Sequence, residues 1–359
     1  GDDRRPALRQ AKLRVLVAAG WPEASGELGR AGALPGGATL AAGNPGCDSG
    51  PTRGWVLLDD GDPRGFGAAL AWAHRRHIER LDVLVETATH PEAAGIVARR
   101  AALLRRSPGV AAVHGRELRP AIPLGFAAPA PAPPEALAFV DALRAHGVDP
   151  IVEHGVVTGE ILGLEVVRVV ADTDERGWRL AVGVGHHDRE ARAEMRVGQD
   201  PFDALDEVVA TVRARRRAGV ARHPANALAR ERWLRAVVVA RPDLVGASIL
   251  APLAAPLPRL DLRRSAPAPA AGRDDAGRAV VVVCSTGVDV DLVPTAADAR
   301  LGVGSARLVL AVPRGDDYPV TRALASALEV PAEVVVMPAD WPALVGYPAD
   351  QGATARGAR

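Results

Sequence analysis

Residues 151–195 read IVEHGVVTGEILGLEVVRVVADTDERGWRLAVGVGHHDREARAEM. Two apolar runs, Ile161–Val170 and Arg179–Val184, flank the polar turn Asp172–Gly177, the pattern of an antiparallel β-hairpin. Polar chemistry gathers at its rims. Glu153 and His154 precede the first run, Glu160 and Glu165 lie on it, and His186, His187, Asp188 and Glu190 follow the second. This hairpin, with a helix before it (Glu135–His146) and two after it (Pro201–Arg217, capped by Asp200, and Ala225–Ala240), predicts a middle α+β unit over 135–250.

On either side the pattern changes. Strands at Trp55–Leu58, Leu81–Val85 and Val110–Val113 alternate with helices opening near Pro63 and Pro91, and a short strand at Leu13–Val17 precedes them. After residue 276, strands Val280–Val283, Leu308–Val312 and Glu333–Val336 alternate with helices Pro294–Leu301 and Pro319–Leu328. Parallel neighbours need long return connections, so each region reads as a βαβαβ parallel-sheet unit, 10–120 and 276–340. The expected fold class is therefore α/β, two such units flanking the middle one. Pro-rich segments 121–134 and 251–275 read as linkers, and 341–359 as a tail. The strands after residue 276 are continuously apolar, which requires cover on both faces of their sheet.

The segments GEILGLEVVRVV (159–170), RLAVGVGHHDREA (179–191) and VVVVCSTGVDVDLVPTAADAR (280–300) resemble an uncharacterised family of proteins from GC-rich bacteria. The resemblance covers the middle and last units and implies no activity.

The 359 residues exceed the roughly 100–200 typical of one domain. Of 44 basic residues only Lys12 is lysine, and the net charge of +1 excludes a globally basic nucleic-acid coat. Two cysteines, Cys47 and Cys284, make no disulfide framework and fit a cytoplasmic protein. No apolar run approaches the roughly 18 residues of a membrane span, and Val15–Ala19 is too short for a signal core.

Three sets of residues are candidates for function. Glu160, Glu165, Asp188 and Glu190 offer oxygen ligands for Mg²⁺ or Mn²⁺, with His187 as a base beside Asp188. Residues five apart on one strand face opposite sides, however, and ion pairs or helix caps use the same residue types. Arg213, Arg215, Arg216, Arg217, Arg222, Arg230, Arg232 and Arg235 face a single acid, Glu231, with Trp233 among them, a composition suited to nucleic acid or another polyanion. Carboxylates also follow strands, at Asp59, Asp60, Asp62, Glu86, Asp289, Asp291, Asp316 and Asp317, and Cys284-Ser285-Thr286-Gly287 follows a strand with amides free for an anion. No Walker A lysine or dinucleotide fingerprint is present. Metal-assisted phosphoester chemistry is one expectation, although Lys12, the only lysine, is expected to lie far from every acidic cluster. A polyanion adaptor is the second, and a scaffold around a dimerising middle unit the third.

Overall fold

Leu13, Leu16 and Val17 recur at helical spacing, and in the computed structural model they form the buried face of helix α1 (Arg4–Gly20). The strand expected at Leu13–Val17 is thus a helix. Its alternating Leu13, Val15 and Val17 mislead, because Val15 is exposed. The structure describes residues 4–24, 26, 28–42, 52–172, 177–195, 200–217, 219, 224–259 and 265–346. After α1 come β1 (Gly32–Leu34), β2 (Gly37–Ala42), β3 (Arg53–Leu58), α2 (Gly65–Arg75), β4 (Arg80–Glu86), α3 (Ala93–Ala102), β5 (Gly109–His114) and β6 (Glu117–Pro120). The chain continues through α4 (Pro134–Leu137), α5 (Val140–Ala145), β7 (Asp149–Glu153), β8 (Val156–Ile161), β9 (Leu164–Ala171), β10 (Trp178–Val182), α6 (Gly185–Met195), α7 (Pro201–Arg215), α8 (Pro224–Ala227) and α9 (Arg230–Ala240). It ends with β11 (Ile249–Pro252), β12 (Ala268–Arg273), β13 (Ala279–Cys284), α10 (Leu292–Val303), β14 (Arg307–Pro313), α11 (Pro319–Ala327) and β15 (Glu333–Met337).

The class is mixed α/β, in two compact units where the sequence suggests three. The first comprises Gly1–Ala127, Val288–Leu310 and Asp317–Val334, and the second Ala128–Gly287, Ala311–Asp316 and Val335–Arg359. Among the described residues no helix is long and apolar enough to cross a membrane.

The first unit is built on a sheet ordered β1-β2-β3-β4-β5-β6. Its centre, β3-β4-β5, is parallel as the strand–helix alternation predicts, whereas β1, β2 and β6 join antiparallel. The sheet is therefore mixed, not purely parallel. Leu13, Leu16 and Val17 cover one face, against Leu40, Trp55, Leu57 and Leu84. Helices α2 and α3 pack on β3, β4 and β5, and α10 and α11 pack in turn on α2. A buried ionic knot ties α3 to α10. The Asp298 carboxylate, wholly inaccessible, accepts from Arg99 Nε (2.8 Å) and Nη2 (3.0 Å) and from Arg100 Nε (2.9 Å), while Arg100 Nη1 donates to Asp291 (3.0 Å).

The second unit contains an antiparallel meander ordered β10-β9-β8-β7. The run read as one strand, Ile161–Val170, breaks after Ile161, because Leu162 (φ 45°) and Gly163 (φ 75°) form a two-residue turn of the left-handed kind. Leucine disfavours that conformation, so the turn needs outside support. Arg216 Nε supplies it by donating to the Leu162 carbonyl at 2.9 Å. Leu143, Val157, Ile161 and Leu164 make a core with Leu205, Val208, Val209 and Val212 of α7, whose N-terminus is capped by Asp200 accepting from the Phe202 amide (2.8 Å).

A second sheet of this unit runs β11-β12-β13-β14-β15, the last residues of β14 and β15 belonging to it. The Pro-rich segment read as a linker over 251–275 holds β12, paired antiparallel with both β11 and β13. Its Pro269 is second in the strand, where the missing N–H costs little. Helix α9 lies on β11, β12 and β13 with Leu234, Val237 and Val238 inward. On α9's other side, a Cβ added at Gly163 would meet the Arg232 carbonyl carbon at 2.2 Å and the Trp233 nitrogen at 2.5 Å. Gly163→Ala should therefore cost more than the roughly 1–2 kcal/mol of left-handed strain alone, read as lost hydrogen-exchange protection in both α9 and β8. Loss confined to the turn would show that α9 yields without cost.

Candidate functional site

The meander hairpin places Glu160 directly opposite Glu165, with a register shift at Gly159/Glu160. The two are cross-strand neighbours on separate strands, so the expectation that they face opposite sides of one strand is corrected. Arginine, not a metal ligand set, surrounds them. Arg232 Nη1 and Arg235 Nη2 donate to Glu160, the latter at 3.1 Å, and Arg232 Nη2 and Arg235 Nη1 donate to Glu153, the latter at 2.6 Å. Glu165 takes Arg168 through both its oxygens at 2.9 Å and Arg189 Nη1 at 2.9 Å. Burial pushes Glu153 up, but Arg235 and Arg232 outweigh it and hold the carboxyl below its ordinary range. Burial likewise opposes the charge on Arg232, and Glu160 and Glu153 more than restore it.

The other proposed ligands stand elsewhere. His187 and Glu190 are exposed on α6, where Glu190 lies 3.1 Å from His186 and 3.7 Å from His187. Asp188 lies inside the first turn of α6 rather than at the cap position expected of it, and accepts from the Val184 amide at 2.8 Å. Among the described residues no three His, Cys, Asp or Glu side chains are grouped to hold a metal ion.

The arginine-rich stretch is largely internal. Arg216 is buried, donating to the carbonyls of Leu162, Leu228 (3.0 Å) and Ala229 (3.2 Å) and stacking 4.7 Å from the Trp233 ring. Arg213 donates to the Gly147 carbonyl at 2.6 Å. With Arg232, Arg235 and Trp233 also buried or half-buried, the expectation of one polyanion-binding face is corrected: only Arg215, Arg217 and Arg230 are exposed, and Arg222 lies outside the described residues. Charge density in the sequence did not reveal the carbonyls and carboxylates brought by the meander.

Arg230 opens onto a different feature, a cavity of about 720 Å³. Its walls come from the start of α9 (Arg230, Glu231), from Arg259, and from the segments following three successive strands: Thr286-Gly287 after β13, Arg314-Gly315-Asp316 after β14, and Trp341 after β15. Carboxyl ends of strands are where ligands enter open α/β sheets. Glu231, 2% exposed, pairs with Arg259 at 2.8 Å. Asp316 Oδ2 accepts from the Gly287 amide at 2.7 Å. Arg230 lies 5.7 Å from the Trp341 ring centroid, and among the described residues neither Arg230 nor Arg314 has a carboxylate partner. Cys284, just before this wall, is fully buried, and burial pushes its thiol up to about 12, which leaves it an inert packing group. Sequence reading found Thr286, Gly287, Asp316 and Arg230. It missed Arg259, placed within an apparent linker, and Arg314 and Trp341, whose only signal was position after a strand.

The first unit corrects the placement of Lys12. Its Nζ lies 2.7 Å from Asp59 Oδ1 and 2.6 Å from Glu86 Oε2, at the ends of parallel β3 and β4. Glu86 also accepts from the amides of Thr87 (3.0 Å) and Ala88 (3.1 Å). Burial opposes both charges, yet Lys12 is raised and Glu86 lowered, because the pairing outweighs it. Arg9, whose Nε donates to Asp59 at 3.2 Å, joins Lys12 in fastening α1 to the sheet.

Comparison with protein-family models, with curated proteins and with solved structures finds no match to this chain, and so adds nothing to the resemblance noted in residues 159–170, 179–191 and 280–300.

Proposed function

We propose that the second unit binds a small anionic ligand in the cavity beyond β13, β14 and β15. The observation carrying this reading is the convergence of Arg230 and Arg314, both without carboxylate partners among the described residues, on one concave space. Its volume falls within the roughly 300–1,000 Å³ of small-molecule pockets. We keep the anion recognition expected from the sequence and assign it to a pocket rather than to a helical stripe. The carboxylates once assigned to a metal are engaged by arginine, so phosphoester chemistry at Glu160 and Glu165 is not part of this proposal.

Arg230→Ala and Arg314→Ala should each weaken binding of inorganic pyrophosphate about tenfold, the scale of one charge-assisted hydrogen bond. Arg215→Ala and Arg217→Ala should leave it unchanged. Calorimetric titration across a salt series measures both. The reverse pattern would restore the polyanion stripe, and failure of both pyrophosphate and an organic phosphate ester to bind the unaltered chain would favour the scaffold reading.

A further inference from the structure

Resting on that reading, we infer that the cavity's ligand is a phosphate ester carrying adjacent sugar hydroxyls. The walls are of mixed sign. Among the described residues Arg230 and Arg314 have no carboxylate to neutralise them, whereas Asp316 lines the same space and Glu231 does so paired with Arg259. A bare anion filling the cavity would meet the Asp316 carboxylate as well as the arginines, and like charges at close range are repelled. A ligand with hydroxyl groups resolves the conflict, since a hydroxyl donates to a carboxylate while the ligand's phosphate meets the guanidinium groups.

Asp316 is suited to that role. One of its oxygens is held by the Gly287 amide at 2.7 Å, which fixes the carboxylate at the cavity wall and leaves the other oxygen as an acceptor. Gly287 follows the first of two successive strands and Asp316 follows the second, 29 residues later. An acid and an arginine close together on one wall can take the hydroxyl and the phosphate of a single small ligand. Arg314 stands two residues from Asp316 on the same wall. The cavity is also far larger than an inorganic anion requires, because a water molecule occupies only about 30 Å³.

The test uses the full chain and titrates ribose 5-phosphate, 2-deoxyribose 5-phosphate and inorganic pyrophosphate by calorimetry, with Asp316→Asn and Arg314→Ala alongside. Ribose 5-phosphate should bind about tenfold more tightly than its 2-deoxy counterpart. Asp316→Asn should erase that preference, and Arg314→Ala should weaken both sugars equally. Equal affinity for the two sugars, with Arg314 still required, would overturn the hydroxyl inference and leave the anion pocket standing. Failure of all three probes to bind would overturn the pocket itself. Should Asp316→Asn not fold, the two sugars compared on the unaltered chain still decide.

Discussion

Replacing Arg235 by methionine should destabilise the second unit by about 3–5 kcal/mol, the scale found when one partner of a buried ion pair is removed. Arg235 is 2% exposed and stands between Glu153 and Glu160. Without it, Arg232 alone must neutralise two carboxylates that have little access to water. Methionine preserves much of the side chain's length, so the loss reports charge more than volume. Exchanging all four groups together, Glu153→Gln, Glu160→Gln, Arg232→Met and Arg235→Met, should cost less than the single change, because no charge is left unpaired. Denaturant titration followed by hydrogen exchange in α9 measures both. A loss below about 1 kcal/mol for Arg235→Met would place these pairs with solvated surface bridges.

The first unit should weaken as pH rises from 4 to 6. Burial pushes the Asp291 carboxyl up to about 6 from its ordinary 3.8, against the opposing pull of Arg100 and Thr295. Within that window the folded chain keeps the Asp291 proton and the unfolded chain releases it, so stability falls as pH rises and then levels off above the folded value. At 1.36 kcal/mol per pH unit the change attributable to this carboxyl is about 3 kcal/mol. Arg100 keeps its charge throughout, since burial opposes it but Asp298, joined by Asp291 once that carboxyl ionises, outweighs burial. Asp291→Asn removes the titrating group, and the difference between its pH–stability curve and that of the unaltered chain isolates the contribution. Parallel curves between pH 4 and 6 would show that Asp291 ionises at its ordinary value.

What the sequence made legible follows from how local each signal is. The strands β3, β13 and β14 carry continuous apolar runs, β4 is interrupted only by Asp82 between Leu81 and Val83, and α7 is announced by Asp200 and Pro201. These depend on neighbours along the chain. Leu162 gives no turn signal, because its left-handed conformation is held by Arg216, 54 residues away. The partners of Arg232 and Arg235 lie 72 to 82 residues distant, so the stretch looked like an unpaired cationic surface. Pro269 suggested a linker although its strand is ordered by pairing on both edges. Of the cavity, strand-end positions such as Thr286 and Asp316 were readable. Arg259 was not, since only folding brings it beside Glu231.

The knot at Asp298 also sets a clock on biosynthesis. Arg99 and Arg100 leave the ribosome long before the carboxylate that neutralises them, which is encoded 199 and 198 residues later. At roughly 5–20 residues per second that interval is about 10–40 s. Domains ordinarily fold from the N-terminus as they emerge, but α3 must wait for α10 with two cations still hydrated. The N-terminal segment is born before the part that completes it, and during that interval the face of α2 destined for α10 and α11 is open to chaperones and to neighbouring nascent chains.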